Sequence, residues 1–428
     1  MILPRLAMWV ISNGVDYCRG SALYNTKPIA GATLRYFDKT MDDNALWFFD
    51  MVVKNGKIFY KIRNAASGLY IHSTSNSQTG TTSSVNENDA LLYEVIPLYK
   101  DDTYLIVQEN GNPIHCQNGG LVVTWPDREF GTASCWKLIV ATDKELAAIK
   151  QKHKDEETYE MVWNDEFDTN GRPDPSKWDY EHGFVRNNEM EWYQPENAWV
   201  ENGHLIIEGR KEVDKPNPWY NASSQDWRYS RKWINYTSTS LITDKKADWL
   251  YGRFRAACKI PTMSGSWPAL WFLGHEEMDG EWPSNGEIDL LEYYKDHTLH
   301  NLCWASDWEW AGIWSTRTTS YSDYWRKFDP KWNESFHEYR MDWDEEAIKL
   351  YVDDELQNCV NLDRTINHGS WWKVKNPFKT PQYMIINLAL GATGGPINDE
   401  EMPRRYEVDY VKVYQMAKHR TQTKSEEL

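Results

Sequence analysis

Short runs in which apolar and polar positions alternate, or in which several apolar residues follow one another, recur along the whole chain. Leu205-Ile206-Ile207-Glu208-Gly209, Gly252-Arg253-Phe254-Arg255-Ala256-Ala257, Ile348-Lys349-Leu350-Tyr351-Val352 and Tyr383-Met384-Ile385-Ile386-Asn387 are examples. Each is bounded by Gly, Asp, Asn or Pro. Period-two patterning punctuated by turn residues predicts strands. From Tyr159 onward there are enough of them to predict two stacked antiparallel sheets. The expected fold class is all-β.

The first 142 residues carry a weaker pattern that repeats. Phe49-Asp50-Met51-Val52, Tyr93-Glu94-Val95-Ile96 and Trp136-Lys137-Leu138-Ile139 begin 44 and then 43 residues apart. Tyr60-Lys61-Ile62 and Tyr104-Leu105-Ile106 stand upstream of the last two, and Trp9-Val10-Ile11 fits the same role in the first copy. Three short-stranded units of this kind bury their apolar strands only against one another. Between the two halves, Thr142-x-x-Glu145 reads as a capping box opening a helix. Leu146, Ala147 and Ile149 give that helix one apolar patch, and the charged run 150–157 solvates the rest. The expected division is a threefold β domain over 1–142, a helical linker over 143–157, a β-sandwich over 158–416 and a charged tail over 417–428.

One stretch departs from this bland patterning. Asn285-Gly286-Glu287-Ile288-Asp289-Leu290-Leu291-Glu292 puts three carboxylates into six residues. Alternate residues of a strand share a face, so Glu287 and Asp289 point one way while Ile288 packs inward. Glu292 follows Glu287 by an odd step and would face away. A β-bulge at Leu290-Leu291 would reset the parity and bring all three acids to one face. Like charges so close push one pKa up, so one carboxyl keeps its proton while another stays ionised. A retaining glycosidase needs that division between a nucleophile and a general acid/base. Of Glu287 and Glu292 one would be the nucleophile and the other the acid/base, with Asp289 between them as their assistant.

With its flanks, Gly265-Ser266-Trp267-Pro268-Ala269-Leu270-Trp271 and Glu281-Trp282-Pro283-Ser284-Asn285-Gly286, this stretch resembles glycoside hydrolase family 16. The likeness is to the laminarinase-like branch with a bulged E-x-D-x-x-E strand. Trp163-Asn164-Asp165-Glu166-Phe167, Asn187-Asn188-Glu189 and Val408-Asp409-Tyr410-Val411-Lys412 extend it over about 158–416. The resemblance implies a concanavalin-like β-jelly roll with an open cleft, hence endo action on a polysaccharide. It implies Trp267, Trp271, Trp282 and Trp304 as sugar platforms, and Asn197 and Glu191 as partners for sugar hydroxyls. The chemistry needs no cofactor; the resemblance implies a structural calcium held by Asp409, with a backbone contribution near Glu166. The 1–142 repeat resembles a ricin-type β-trefoil, though no copy keeps the Gln of its Gln-x-Trp signature. Trp125 and Tyr70 are its candidate sugar platforms.

Composition narrows the partners. The 428 residues carry a net charge of −17 and no basic stripe, which argues against nucleic acid. No apolar run is long enough to span a membrane. Twenty of the 24 Trp fall after residue 157, and flat aromatic faces pack on the C–H faces of sugars. Cys18, Cys116, Cys135, Cys258, Cys303 and Cys359 show no metal-ligand spacing and are expected as free thiols. The expectation is a monomer working on an extracellular glycan, secreted, periplasmic or cell-surface, its leader not present in this chain. The leading activity is endo-hydrolysis of internal β-1,3 linkages in a glucan or galactan. Alternatives are an endo-β-galactosidase on agar-type or mucin-type glycans, a transglycosylase, or a non-catalytic lectin.

Overall fold

The computed structural model describes residues 3, 7–13, 21–38, 42–73, 82–98, 103–109, 111–117, 122–125, 132–156, 158–369, 372 and 374–420. The chain splits into two compact units, Met1–Thr158 with Cys359–Asn361, and Tyr159–Asn358 with Leu362–Leu428. Cys18 and tail residues 421–428 lie outside the described residues; Cys116, Cys135, Cys258, Cys303 and Cys359 are buried.

In the first unit, six strands close on themselves. They are β1 (Trp9–Asn13), β2 (Leu46–Lys54), β3 (Lys57–Asn64), β4 (Tyr93–Pro97), β5 (Tyr104–Gln108) and β6 (Trp136–Val140). Each pairs antiparallel with the next, and β6 returns to β1. Closure leaves no edge strand in this ring. Three hairpins, Ser21–Asn25 with Leu34–Asp38, Tyr70–Ser73 with Thr82–Val85, and Ile114–Cys116 with Val122–Thr124, accompany it at one per copy. Each copy sends an aromatic into one shared core, which includes Trp47, Phe49, Tyr93 and Trp136.

The structure corrects the alignment of the first copy by two residues. Trp47, not Phe49, matches Trp136. Each follows a short 3-10 turn by two residues, and each indole N–H donates at 3.0 Å to a hairpin carbonyl, that of Leu23 or of Ile114. Both Trp47 and Phe49 face inward, so periodicity alone does not choose between them. Tyr70 is buried beneath Lys61, which removes its face as a sugar platform. Trp125 is half-buried and stacks on His115, with ring centroids 5.2 Å apart. The linker forms as helix α1 (Asp143–Glu156), closed by the expected capping box: Thr142 N donates to Glu145 Oε2 at 2.8 Å.

The second unit is a β-sandwich of jelly-roll type. One sheet contains β7 (Asp179–Tyr180), β8 (Ser240–Ile242), β9 (Ser266–Gly274), β10 (Glu287–Tyr294), β11 (His297–Ala305), β12 (Gly312–Ser320) and β13 (Gln382–Leu390). Its order is β7-β8-β13-β9-β10-β11-β12. The opposing sheet centres on His204–Pro216, Arg404–Gln415, Gly252–Lys259 and His337–Trp343. Residues of the two sheets meet in the core: Phe254 meets Phe272 edge-on at 5.1 Å, and Ile207, Val408, Met341, Ile288 and Ile386 are buried as well. The apolar alternation thus fixes which face is core, and the opposite faces of β9, β10, β11 and β13 remain for the cleft.

Candidate active site

β10 carries the acid row between β9 and β11. Its ladder to β9 pairs Ala269 with Glu292, Leu270 with Leu291 and Trp271 with Asp289, so Leu290 is the extra residue. The ladder to β11 shifts at the same place, between Asp289–Asn301 and Glu292–Leu299. The bulge puts Glu292 on the face of Glu287 and Asp289. All three line a cleft of about 560 Å³, together with Arg186, Asn187, Glu189, Trp267, Trp271, Trp282, Tyr294, Asn301 and Trp314.

The entry to β10 is held tightly. Gly286 has φ of +73°, and a Cβ there would lie 2.7 Å from Pro377 Cβ, so only glycine fits. Asn285 Nδ2 donates to the Gly274 carbonyl at 2.9 Å, and Asn367 Nδ2 donates to that of Ser284 at 2.8 Å. This loop presents Trp282, whose Nε1–H donates to Glu287 Oε2 at 2.6 Å. On the other acid, Trp267 Nε1–H donates to Glu292 Oε1 at 2.8 Å and Asn301 Nδ2 to Oε2 at 2.8 Å. Asn301 also reaches Asp289 Oδ2 at 3.1 Å, tying the two carboxyls together.

These contacts sort the protons. Burial raises all three acids above the ordinary carboxylate range. Asp289 is raised furthest, by burial and by the charges of Glu287 and Glu292 on either side. It therefore keeps its proton and donates it in a hydrogen bond to Glu287. Burial raises Glu287 as well, but the donors Trp282 and Asp289 and the nearby Arg186 cation pull it back. Glu292 is pushed up to about 7, burial again leading and Trp267 opposing. The result is two unlike carboxyls: Glu287, with three groups opposing the rise that burial causes, and Glu292, which can hold its proton near neutrality.

Other expected residues fall differently. Trp271 forms the buried floor; its Nε1 donates to Asn387 Oδ1 at 2.7 Å, and Arg186 lies over its ring at 5.0 Å. Trp304 is 2% exposed, under Arg364, and does not line the cleft. Asn197 is fully buried: its amide donates to Glu208 O at 2.7 Å and Thr237 Oγ1 at 3.0 Å and accepts from Gln194 at 2.8 Å. No group on it remains for a hydroxyl. Glu191 accepts from Leu390 N at 2.6 Å behind the cleft wall, its carboxyl raised by burial and by Glu189. All three sit beneath the surface, because a strand's inward and outward positions look alike when both are polar or aromatic.

The side chains of Asp409 and Glu166, the residues expected at a calcium, each lie beside a basic residue. Glu166 Oε1 faces Lys412 at 3.1 Å, and Asp409 Oδ1 faces His204 at 3.6 Å. Among the described residues no group of three or more His, Cys, Asp or Glu could hold a metal. Hard cations require several oxygen ligands.

Sequence reasoning missed Arg186 and Asn301. Asn301 had one available signal, its place on the strand after the acid row. Arg186 had none: it ion-pairs with Glu181 and reaches the cleft only through the fold.

Among known families, the model described as Glycosyl hydrolases family 16 matches residues 187–412. A β-glucanase of Rhodothermus marinus is 35% identical over 269 residues, covering 60% of this chain and 85% of that protein. The glucan endo-1,3-beta-glucosidase A1 of Niallia circulans is 31% identical over 276 residues, covering 59% of this chain and 37% of that protein. A solved structure from work on endo-acting O-glycanases, with which prominent human gut bacteria initiate mucin breakdown, superposes with a TM-score of 0.55. It is 34% identical and covers 63% of this chain and 95% of its own.

Proposed function

Because this chain belongs to glycosyl hydrolase family 16, we propose that it is a retaining endo-β-glycanase cleaving internal β-1,3 linkages of a glucan or galactan. The observation that carries this is the bulged strand, which sets Glu287 and Glu292 on one face of one cleft. Glu287 attacks the anomeric carbon while Glu292 gives its proton to the leaving oxygen, forming a glycosyl-enzyme. Glu292, now ionised, takes a proton from water, which displaces Glu287. Asp289 and Trp282 hold Glu287 ionised and aimed. The two carboxylates suffice for this chemistry without a cofactor, and one chain supplies both, so a monomer suffices.

The β-1,3 linkage is supported by the Niallia circulans relative. A second reading, an endo-acting hydrolase of mucin-type glycans, is supported by the superposition at TM-score 0.55. Both substrates lie outside cells, which supports a secreted, periplasmic or cell-surface site of action. Among the described residues no helix is long and apolar enough to cross a membrane. For the first unit we infer a β-trefoil, supported by the six-strand ring and its three hairpins, with Trp125 as its remaining candidate sugar platform.

The test is digestion of laminarin, mixed-linkage glucan, debranched arabinogalactan, agarose, porphyran and mucin by wild type and Glu287→Gln, read by oligosaccharide chromatography. Oligomers of intermediate size from laminarin or the galactan, with wild type only, are expected. Products from mucin alone would replace the first reading by the second. Binding without cleavage of any polymer would refute both.

A further inference from the structure

An extra residue in a paired strand leaves a main-chain group outside the ladder. In β10 that residue is Leu290, and on the β11 side Leu290 and Leu291 together oppose His300. All three side chains are fully buried, where a carbonyl without a donor is costly. His300 Nδ1 lies 2.9 Å from the Leu290 carbonyl oxygen. A carbonyl only accepts, so Nδ1 carries the hydrogen. The His300 main chain is fixed from the side, since Asn358 Nδ2 donates to its carbonyl at 2.8 Å and to that of Ser315 at 3.2 Å.

We infer that His300 is a positioning residue for the general acid. Its N–H holds the Leu290 carbonyl, and with it the bulge that turns Glu292 onto the cleft face. The bulge separates two outcomes for one side chain. With it, Glu292 sits between Trp267 Nε1 and Asn301 Nδ2, each at 2.8 Å. Without it, strand parity sends Glu292 toward the core. Glu287 and Asp289 precede the bulge and keep their register against Cys303 and Asn301 either way. Loss of His300 therefore injures the acid and spares the nucleophile. This rests on the reading of Glu292 as the acid.

The two roles separate by leaving group. Dinitrophenolate departs without a proton, whereas a sugar hydroxyl needs one. Values of kcat/KM, which report steps up to the glycosyl-enzyme, are compared for wild type, His300→Leu and His300→Asn. The substrates are laminarin and 2,4-dinitrophenyl β-laminaribioside. His300→Leu is expected to lose about 100-fold on laminarin and less than about 3-fold on the aryl glycoside, the range that general acid catalysis spans. His300→Asn places an amide N–H near the position of Nδ1 and is expected to stay within about 5-fold of wild type on both. Equal losses on both substrates, or no loss on laminarin, would overturn the assignment. If His300→Leu does not fold, His300→Gln displaces the donor by one methylene and carries the same expectation. A wrong β-1,3-glucan reading would silence wild type too. The polymer that wild type does cleave, with the dinitrophenyl glycoside of its repeat, then takes the place of laminarin.

Discussion

Replacing Trp267 by Phe removes one hydrogen bond and keeps a flat aromatic face. The indole Nε1–H donates to Glu292 Oε1 at 2.8 Å, and the ring meets Tyr294 at 5.6 Å between centroids. The donor favours the carboxylate, so its loss favours the protonated form and moves Glu292 upward from about 7. A hydrogen bond to a charged group is worth roughly 1.5–3 kcal/mol. Water and the remaining Asn301 donor recover part of that. With about 1.4 kcal/mol per pKa unit, the expected rise is roughly one unit. On the proposed mechanism Glu292 must be protonated when Glu287 attacks, so the alkaline limb of kcat/KM moves to higher pH by about that amount. The acid limb belongs to Glu287 and stays in place. The assay is a pH series of reducing-end release on the cleaved polymer, at substrate well below KM. An alkaline limb that stays put or moves down would refute the assignment of Glu292 as the acid and of Trp267 as its tuner.

Trp282→Phe is the mirror experiment: it removes the 2.6 Å donor to Glu287 Oε2, raises that carboxyl, and shifts the acid limb upward, so activity at mildly acidic pH is lost first. His275 lies between Asp244 at 3.2 Å and Asp248 at 2.9 Å, and its pKa is raised, chiefly by the Asp248 hydrogen bond. Its stabilisation is present below the unfolded value of about 6.5 and is lost as pH rises through the folded one. Thermal midpoints of wild type and His275→Gln should therefore differ below that pH and converge above it. Trp136→Ala empties a fully buried site in the core of the first unit and should destabilise that unit by about 3–5 kcal/mol in chemical denaturation. Hydrolysis of the polymer by the folded second unit is the control.

Much of the site was legible because it lies on one strand. The spacing of Glu287, Asp289 and Glu292 conflicts with period two, and only a bulge resolves the conflict; the ladders on both sides of β10 carry it at Leu290. Gly286 and Asn285 adjoin the row in sequence, but what requires them is distant: Pro377 leaves no room for a Cβ at Gly286, and Asn285 clamps the Gly274 carbonyl. The repeat in the first unit was legible as a period but misaligned at Trp47, because two aromatics two residues apart both face inward. Asn197, Glu191 and Trp304 were expected at the cleft and are buried, because a polar or aromatic residue in a strand does not announce which neighbour satisfies it.

The sequence by itself determined the all-β class, the helix joining two β regions, and the placement of three carboxylates on one face of one bulged strand, since these follow from periodicity and covalent spacing. Tertiary structure alone decided how the protons are shared. Trp267 lies 25 residues from Glu292 and Asn301 nine. Arg186 approaches Glu287 from a separate loop. Desolvation and hydrogen bonding set these pKa values, and both depend on what packs over a carboxylate rather than on what adjoins it in the chain.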